Sequence, residues 1–127
     1  MTSEVILGHR DMTIDEAIRI LFNHKITGFP VVDDQRRVVG VISEFDVIQA
    51  VKKLSGKLPI DLHQPVRITK KVTTILEDTS LEEILALFLE KKVRRLPVIN
   101  AQKQVVGIIS RRDVMRVLFY QSKAAAL

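Results

Sequence analysis

The chain has 127 residues, a net charge of +5 and no cysteine, with 46% apolar and 28% charged residues. This composition is ordinary for a folded chain and argues against disorder as the main state. The lack of cysteine excludes disulfides, thiolate zinc sites and cysteine nucleophiles. The longest apolar run, Ile84–Leu89, is six residues long, whereas a membrane-spanning helix needs about 20. The N-terminus shows no signal-peptide pattern, so we expect a cytoplasmic protein without a membrane partner.

The positive charge is concentrated in the second half of the chain. Residues 1–63 carry a net charge of −1, and residues 64–127 carry +6. An excess of this kind favours either an anionic ligand or a solvated basic face, and the composition leaves both interpretations open.

An internal repeat is the main feature of the sequence. With an offset of 67, positions 2–51 align without a gap on positions 69–118, and 15 of the 50 pairs are identical. The alignment predicts a first repeat with its linker in residues 1–63 and a second repeat in residues 64–127. Because units of this size rarely fold alone, we expect the two repeats to pack together about a pseudo-twofold axis.

Each repeat is predicted to follow the order strand, helix, strand, strand, helix. In the first repeat the predicted elements are Glu4–Leu7, Ile14–His24, Phe29–Val32, Val38–Ile42 and Glu44–Leu54. In the second repeat they are Val72–Leu76, Leu81–Lys91, Leu96–Ile99, Val105–Ile109 and Arg111–Tyr120, followed by a frayed tail at Gln121–Leu127. Thr13 with Glu16, and Ser80 with Glu83, predict capping boxes at helix starts. The order predicts an α+β fold with helices over one face of a small mixed sheet.

A serine followed three residues later by an aspartate ends a strand in both repeats. The pairs are Ser43 with Asp46 and Ser110 with Asp113. One interpretation is structural, because serine at the N-cap and a carboxylate at N3 cap a helix. The other is functional, because free N–H groups at a helix start suit a phosphate and the carboxylate suits ribose hydroxyls. The two interpretations are compatible.

With these pairs in place, the sequence resembles a tandem pair of CBS domains, also called a Bateman module, over about residues 2–120. The segments that carry the resemblance are Thr27–Asp33, Val39–Asp46, Arg94–Ile99 and Val106–Asp113. The resemblance implies two β-α-β-β-α CBS repeats that bind adenosine nucleotides or their derivatives in the cleft between them. It also implies a regulatory, non-catalytic role, a homodimer, and an effector domain outside this chain, because a helical segment that usually precedes the opening motif is lacking.

The resemblance also implies roles for individual residues. Ser43 and Ser110 match the hydroxyls that contact phosphate, and Asp46 and Asp113 match the carboxylates on the ribose. The remaining ligand-binding residues match the threonine that opens each repeat and the strand entrance that lines the base and phosphate region: Thr2, Thr69, Thr27, Gly28, Phe29, Arg94, Arg95 and Leu96. We expect no catalytic residue, no metal and no tightly bound cofactor, with an adenosine nucleotide as regulatory ligand.

The two sites are expected to differ. Glu44 and Phe45 lie between the first serine and aspartate, whereas Arg111 and Arg112 lie between the second pair. Because arginine attracts phosphate and glutamate repels it, we hypothesise that the second site binds the more anionic ligand or is the only one occupied. The alternative is that both arginines point to solvent.

Other functions fit the sequence less well. An enzymatic function is not favoured, because the sequence has no Walker loop and no serine–histidine–aspartate set within a motif. A basic face that binds nucleic acid is an alternative, although no helix is basic throughout and we do not expect nucleic acid as a partner. A purely structural dimerisation module is the other alternative. The apolar stripes Val47–Leu54 and Val114–Phe119 are typical of core, but Met115 and Phe119 widen the second stripe beyond one face, which favours a partner surface.

Overall fold

The computed structural model describes residues 5–54 and 59–126. It divides into two compact units. The first unit is formed by residues 6–72, and the second by the described residues after Val72 together with Val5. Helices and small sheets alternate along the chain, which confirms the predicted α+β class.

The first unit contains α1 (Ile14–His24), β1 (Gly28–Val32), β2 (Val38–Ser43) and α2 (Glu44–Lys53). The capping box predicted at Thr13 is confirmed, because Thr13 and Glu16 exchange side-chain to backbone hydrogen bonds. Strands β1 and β2 form an antiparallel hairpin in which Gly28 lies opposite Ser43. This register places the start of β1 beside the start of α2.

The second unit repeats the order with β3 (Ile75–Leu76), α3 (Leu81–Lys91), β4 (Arg95–Ile99), β5 (Val105–Ser110) and α4 (Arg111–Ala126). Its sheet is mixed as predicted, because β3 pairs with β4 in parallel and β4 pairs with β5 in antiparallel. At Ser80 the structure shows the first bond of the predicted capping box, from the Glu83 N–H to Ser80 Oγ. Arg95 lies opposite Ser110, which matches the register of the first unit.

Two predicted elements were wrong. Within the described part of Glu4–Leu7 there is no strand; instead the neighbouring Gly8 makes a single parallel bridge to Val31. A Cβ at Gly8 would lie 2.6 Å from the Phe29 ring, so only a glycine passes this close. The tail after Tyr120 is helical through Ala126 rather than frayed, because its alanines are strong helix formers.

The connector between α2 and β3 is described over residues 59–74, and it folds back onto the first unit through residue 72. The N–H groups of Ile14 and Asp15 donate to the carbonyls of Gln64 and Leu62 at 2.9 Å each. These N–H groups belong to the first turn of α1 and have no partner within the helix. The connector is therefore part of the first unit's hydrogen bonding.

Each unit has its own apolar core, built from the inward faces of its strands and helices. The buried core of the first unit consists of Met12, Ile14, Ala17, Leu21, Phe29, Val31, Ile42, Val47 and Val66. The buried core of the second unit consists of Ile75, Ile84, Phe88, Leu96, Val98 and Val114. These cores hold the strand ends and helix starts on which the serine–aspartate pairs lie.

Both helix pairs also expose large apolar side chains. Helices α1 and α2 border a groove of about 650 Å³, called here the α1/α2 groove. It is lined by Ile18, Leu21, Phe22, Lys25, Ile26, Thr27, Glu44, Val47 and Ile48. In the second unit, α3 exposes Leu85 and Leu89, and α4 exposes Met115 and Phe119. No helix within the described ranges is long and apolar enough to cross a membrane.

Candidate ligand-binding site

Ser43 and Asp46 form a reciprocal pair at the start of α2. Ser43 ends β2 in an extended conformation and is the N-cap of the helix. Its Oγ accepts a 3.3 Å hydrogen bond from the Asp46 N–H, and its own N–H donates to Asp46 Oδ2 at 2.8 Å. The Ser43 hydroxyl also donates to the same carboxylate oxygen at 2.9 Å. The structural interpretation of the pair is therefore confirmed in the first unit.

Thr69 joins this pair from a distant point in the sequence. Its hydroxyl donates a 2.8 Å hydrogen bond to Asp46 Oδ1. The Thr69 backbone is fixed by two hydrogen bonds with Val41, at 2.8 and 2.9 Å. Thr69 opens the second repeat in the sequence alignment, yet it lies in the first unit beside the first aspartate.

Gly40 makes this approach feasible. A Cβ at Gly40 would lie 2.6 Å from the Thr69 carbonyl oxygen and would overlap the side chain of Ile68. The glycine in the motif that precedes Ser43 is thus required by the close passage of the connector over β2.

Asp46 is the one buried charged residue among the described residues, with 7% of its surface exposed. Both of its carboxylate oxygens accept hydrogen bonds, from Ser43 and from Thr69. Each oxygen can accept more than one bond, so the carboxylate keeps capacity for a further donor. The carboxylate of Asp46 is therefore held by hydrogen bonds from two separate segments of the first unit.

The strand entrance of the first unit lies next to Ser43. The carbonyl of Thr27 accepts a 3.0 Å hydrogen bond from the Glu44 N–H, and Gly28 is the register partner of Ser43. Phe29 belongs to the buried core. Thr27 and Gly28 are thus brought to the serine–aspartate pair, whereas the Phe29 ring points into the unit. Any contact of Phe29 with a ligand would use its backbone.

The second unit builds the same pair with different neighbours. The Ser110 N–H donates to Asp113 Oδ2 at 2.7 Å, and the Asp113 N–H donates to Ser110 Oγ at 3.1 Å. The other carboxylate oxygen, Asp113 Oδ1, accepts a 3.0 Å hydrogen bond from Arg116 Nη1. Arginine therefore contacts the carboxylate oxygen that threonine contacts in the first unit. Thr2, the other predicted threonine, lies outside the described residues.

Several arginines surround the second pair. The Arg94 carbonyl accepts a 3.2 Å hydrogen bond from the Arg111 N–H, and Arg95 is the register partner of Ser110. Arg111 is exposed, and its Nε donates to the carbonyl of Val93 at 3.0 Å. Arg94 and Arg112 are exposed. Leu96, by contrast, is a buried core residue, as Phe29 is in the first unit.

The acidity of Asp113 reflects its surroundings. Burial raises the pKa of Asp113, whereas hydrogen bonds from the Ser110 N–H and hydroxyl lower it. The positive charge of Arg116 lowers the pKa further, so that the net pKa lies below the ordinary value of 3.8. Asp113 is therefore ionised at neutral pH and accepts hydrogen bonds only.

Sequence reasoning missed two partners of these carboxylates. The contact of Arg116 with Asp113 could have been predicted, because residues three positions apart lie on one face of a helix. The Thr69–Asp46 bond spans 23 positions, and no local pattern indicated it. Among the described residues there is no group of histidine, aspartate and glutamate side chains able to hold a metal ion.

Comparison with known proteins identifies the family. Residues 1–53 and 65–120 match the family model of the CBS domain. The chain belongs to the CBS-domain family. The two matched ranges confirm the resemblance to a tandem CBS pair.

Related CBS proteins are known by sequence and by structure. This chain is 34% identical to the CBS domain-containing protein CBSX1, chloroplastic, of Arabidopsis thaliana, covering 82% of this chain and 55% of CBSX1. The crystal structure of CBSX2 in complex with AMP is similar, with a TM-score of 0.77, 31% identity and coverage of 96% of this chain and 94% of that one. The CBS domain pair of protein MJ0100 in complex with 5′-methylthioadenosine and S-adenosyl-L-methionine has a TM-score of 0.74, 25% identity and coverage of 92% and 93%.

The share of each relative that is covered differs. This CBS pair spans about half the length of CBSX1 but nearly all of the CBSX2 and MJ0100 chains.

Proposed function

We propose that this protein is a non-catalytic regulatory module that binds an adenosine-containing ligand: AMP, ADP, ATP or an adenosyl derivative. The observation that carries the proposal is the serine–aspartate pair at a helix start in each unit. The relatives support it, since CBSX2 was crystallised with AMP and the MJ0100 pair with two adenosyl compounds.

The chemistry of the pair suits a nucleoside. The carboxylate oxygens of Asp46 are hydrogen-bond acceptors, as the two hydroxyls of a ribose require. The first N–H groups of α2 and the hydroxyl of Ser43 suit a phosphate. The adenine position and the location of the ligand relative to the two repeats stay predictions of the family resemblance.

We also propose that the two sites are unequal. The first aspartate is buried and bound by Thr69, with Glu44 next to Ser43. The second is bound by Arg116 and flanked by the arginines of the strand entrance and of the first turn of α4. Because guanidinium groups form strong charge-assisted bonds to phosphate, the second site favours the more anionic ligand.

A thermal-shift panel with AMP, ADP, ATP, S-adenosylmethionine, NAD and cyclic dinucleotides tests the function. A ligand present at about a hundred times its dissociation constant stabilises the folded state by about 2.7 kcal/mol. We expect this to raise the unfolding midpoint by roughly 5–15 °C for at least one adenosine compound. If none of these ligands shifts the midpoint, the sensor function is wrong.

Titration calorimetry with the ligand that binds assigns the sites. Asp46→Ala and Asp113→Ala each remove one carboxylate, and Asp34→Ala in an exposed turn is the matched control. We expect unequal losses of affinity from the first two and no loss from the control. Equal losses would refute the inequality but leave the binding function standing.

Three further proposals concern partners and location. The exposed apolar side chains of both helix pairs support a homodimer. Light scattering at micromolar concentration tests it, and a monomer would refute it.

Since this chain spans 55% of CBSX1, an effector outside this CBS pair is also proposed. The predicted cytoplasmic location stays a proposal as well, because CBSX1 is a chloroplastic relative.

A further inference from the structure

Both carboxylate oxygens of Asp113 have partners within the second unit. Oδ2 accepts hydrogen bonds from the Ser110 N–H at 2.7 Å and from the Ser110 hydroxyl at 3.0 Å, and Oδ1 accepts one from Arg116 Nη1 at 3.0 Å. The Asp113 side chain is 13% exposed, whereas that of Arg116 is 59% exposed. The guanidinium is therefore the more accessible group of this ion pair.

Arg116 has donors to spare. A guanidinium carries five N–H groups in a planar fork. One of its nitrogens, Nη1, bonds to Asp113, and the part of the chain that the structure describes supplies no other partner for this side chain. The carboxylate thus holds the guanidinium beside the first turn of α4, while the remaining N–H groups stay open to an acceptor.

The equivalent position in the first unit is uncharged. Gln49 of α2 aligns with Arg116 of α4 in the repeat, and Oδ1 of Asp46 accepts its hydrogen bond from the neutral hydroxyl of Thr69. A guanidinium compensates the charge of a carboxylate, whereas a hydroxyl does not. The two aspartates, which are identical in the motif, therefore differ in the charge that lies beside them.

We propose that the site at Ser110 and Asp113 binds adenosine nucleotides that carry a phosphate monoester on the 2′ or 3′ oxygen of the ribose, and that Arg116 selects them. This inference rests on the proposed function, in which the aspartates bind the ribose. A free ribose diol binds a carboxylate by donating its two O–H groups, so Arg116 competes with the diol for Oδ1 of Asp113. A phosphate monoester has only acceptors when it is fully ionised, and it pairs with a guanidinium through charge-assisted hydrogen bonds.

Asp113 and Arg116 have separate tasks in this arrangement. Asp113 is ionised at neutral pH and repels a phosphate in direct contact, so the phosphate binds the N–H groups of Arg116 that are not bonded to Oδ1. A ribose with one such phosphate keeps one hydroxyl, which donates to Asp113, because a carboxylate oxygen accepts more than one bond. Dinucleotide-binding folds distinguish the same two ligands by these groups, with a carboxylate for the free ribose and an arginine for its phosphate.

Four nucleotides test the selection. The 2′,5′ and 3′,5′ bisphosphates of adenosine add a ribose phosphate to 5′-AMP, and ADP adds its second phosphate at the 5′ end. In an NMR titration, the amide signals of Ser110 and Asp113 report the second site, and those of Ser43 and Asp46 report the first. At the second site we expect at least one bisphosphate to bind about tenfold more tightly than 5′-AMP. If 5′-AMP binds there as tightly as both bisphosphates, the proposal is wrong.

Arg116→Gln gives the second unit the residue that Gln49 provides in the first. We expect the preferred bisphosphate to bind the second site about tenfold more weakly, while 5′-AMP binds at least as tightly as before because Oδ1 of Asp113 is released. These opposite effects distinguish ligand selection from a merely structural role of Arg116. A loss of ADP affinity as large as that of the bisphosphate would overturn the proposal, because Arg116 would then act on any added phosphate.

Lys123→Gln is the matched control, because Lys123 is exposed on the same helix and the change in net charge equals that of Arg116→Gln. We expect it to leave the bisphosphate affinity within about twofold of wild type. An equal loss in both variants would reduce the effect to net charge, and the proposal would fail.

Failure of this inference differs from failure of the proposed function. If 5′-AMP shifts the reporting amide signals but neither bisphosphate gains affinity through Arg116, the protein binds adenosine nucleotides and only this inference is wrong. If no adenosine compound shifts any of these signals, the proposed function fails and this inference fails with it.

Discussion

The hydroxyl of Thr69 donates a 2.8 Å hydrogen bond to Oδ1 of Asp46, and so connects the end of the connector to the start of α2. In the second unit, Arg116 of α4 itself contacts the corresponding oxygen of Asp113 at 3.0 Å. One carboxylate thus depends on a residue distant in the sequence, and the other on its own helix.

Removal of the Thr69 hydroxyl should destabilise the first unit. In Thr69→Val the side chain keeps its size but Asp46 Oδ1 loses a donor, so we expect the free energy of unfolding to fall by about 1 kcal/mol. Thr69→Ser keeps the hydroxyl and is the control. Urea unfolding followed by circular dichroism measures both. A Thr69→Val protein as stable as the serine variant would show that the bond contributes nothing.

Substitution of Gly40 should displace the connector. A Cβ in Gly40→Ala would lie 2.6 Å from the Thr69 carbonyl, so either β2 or the connector must move. We expect a loss of about 1–3 kcal/mol in the free energy of unfolding, as in other overpacked sites. Amide hydrogen exchange at Val41 and Thr69 should become faster, because these N–H groups form the bonds that hold the connector. Unchanged exchange at both would contradict the close passage.

The stability of the second unit should depend on pH through Asp113. Its pKa is lowered in the folded state, so the ionised carboxylate stabilises the fold at pH values above the ordinary 3.8. This stabilisation is lost as the pH falls through the lowered pKa. We expect Asp113→Asn to cost about 1–3 kcal/mol at pH 7 and progressively less below about pH 4, as measured by urea unfolding at several pH values.

Arg116→Gln removes one partner of Asp113 but keeps the carboxylate and its bonds to Ser110. Its cost in free energy of unfolding should also decrease at low pH, but it should be smaller than that of Asp113→Asn. A cost of Asp113→Asn that stays constant from neutral pH to about pH 3 would contradict the assigned cause.

The arginine next to Asp113 should discriminate ligands by charge. Arg112 is exposed at the first turn of α4, in the place that Phe45 occupies in α2. We expect Arg112→Gln to weaken ATP binding about three- to tenfold while adenosine binding stays unchanged. Lys52→Gln, an exposed change of equal charge at the end of α2, is the control. Equal weakening of ATP and adenosine would show that Arg112 does not act on the phosphates.

Local signals predicted most of the secondary structure. Helices α1 and α3 begin and end where expected. Their first residues were predictable because the N-caps, Thr13 and Ser80, directly precede them in the sequence. The strand expected at Glu4–Leu7 is absent from its described part, because pairing there occurs through Gly8 alone. The end of α4 was misplaced because small apolar residues were taken as a tail although alanine favours helix.

The candidate site was predictable in part for the same reason. The Ser43–Asp46 and Ser110–Asp113 pairs are local, and the structure forms both. The bond from Thr69 to Asp46 is not local, because it depends on the path of the connector over Gly40. The motif also did not predict that the side chains of Phe29 and Leu96 are buried, because a motif gives the sequence position of a residue and not the direction of its side chain.

The return of the connector to β2 has a practical consequence for dissecting the protein. A gene fragment that stops at residue 63 would encode α1 and α2 but would lack Val66, a member of the first core, and Thr69. A fragment that continues through Val72 would retain both, together with the carbonyls that receive the first N–H groups of α1. A fragment cut at the sequence boundary would therefore be unstable, because the cut removes connector residues that belong to the first unit.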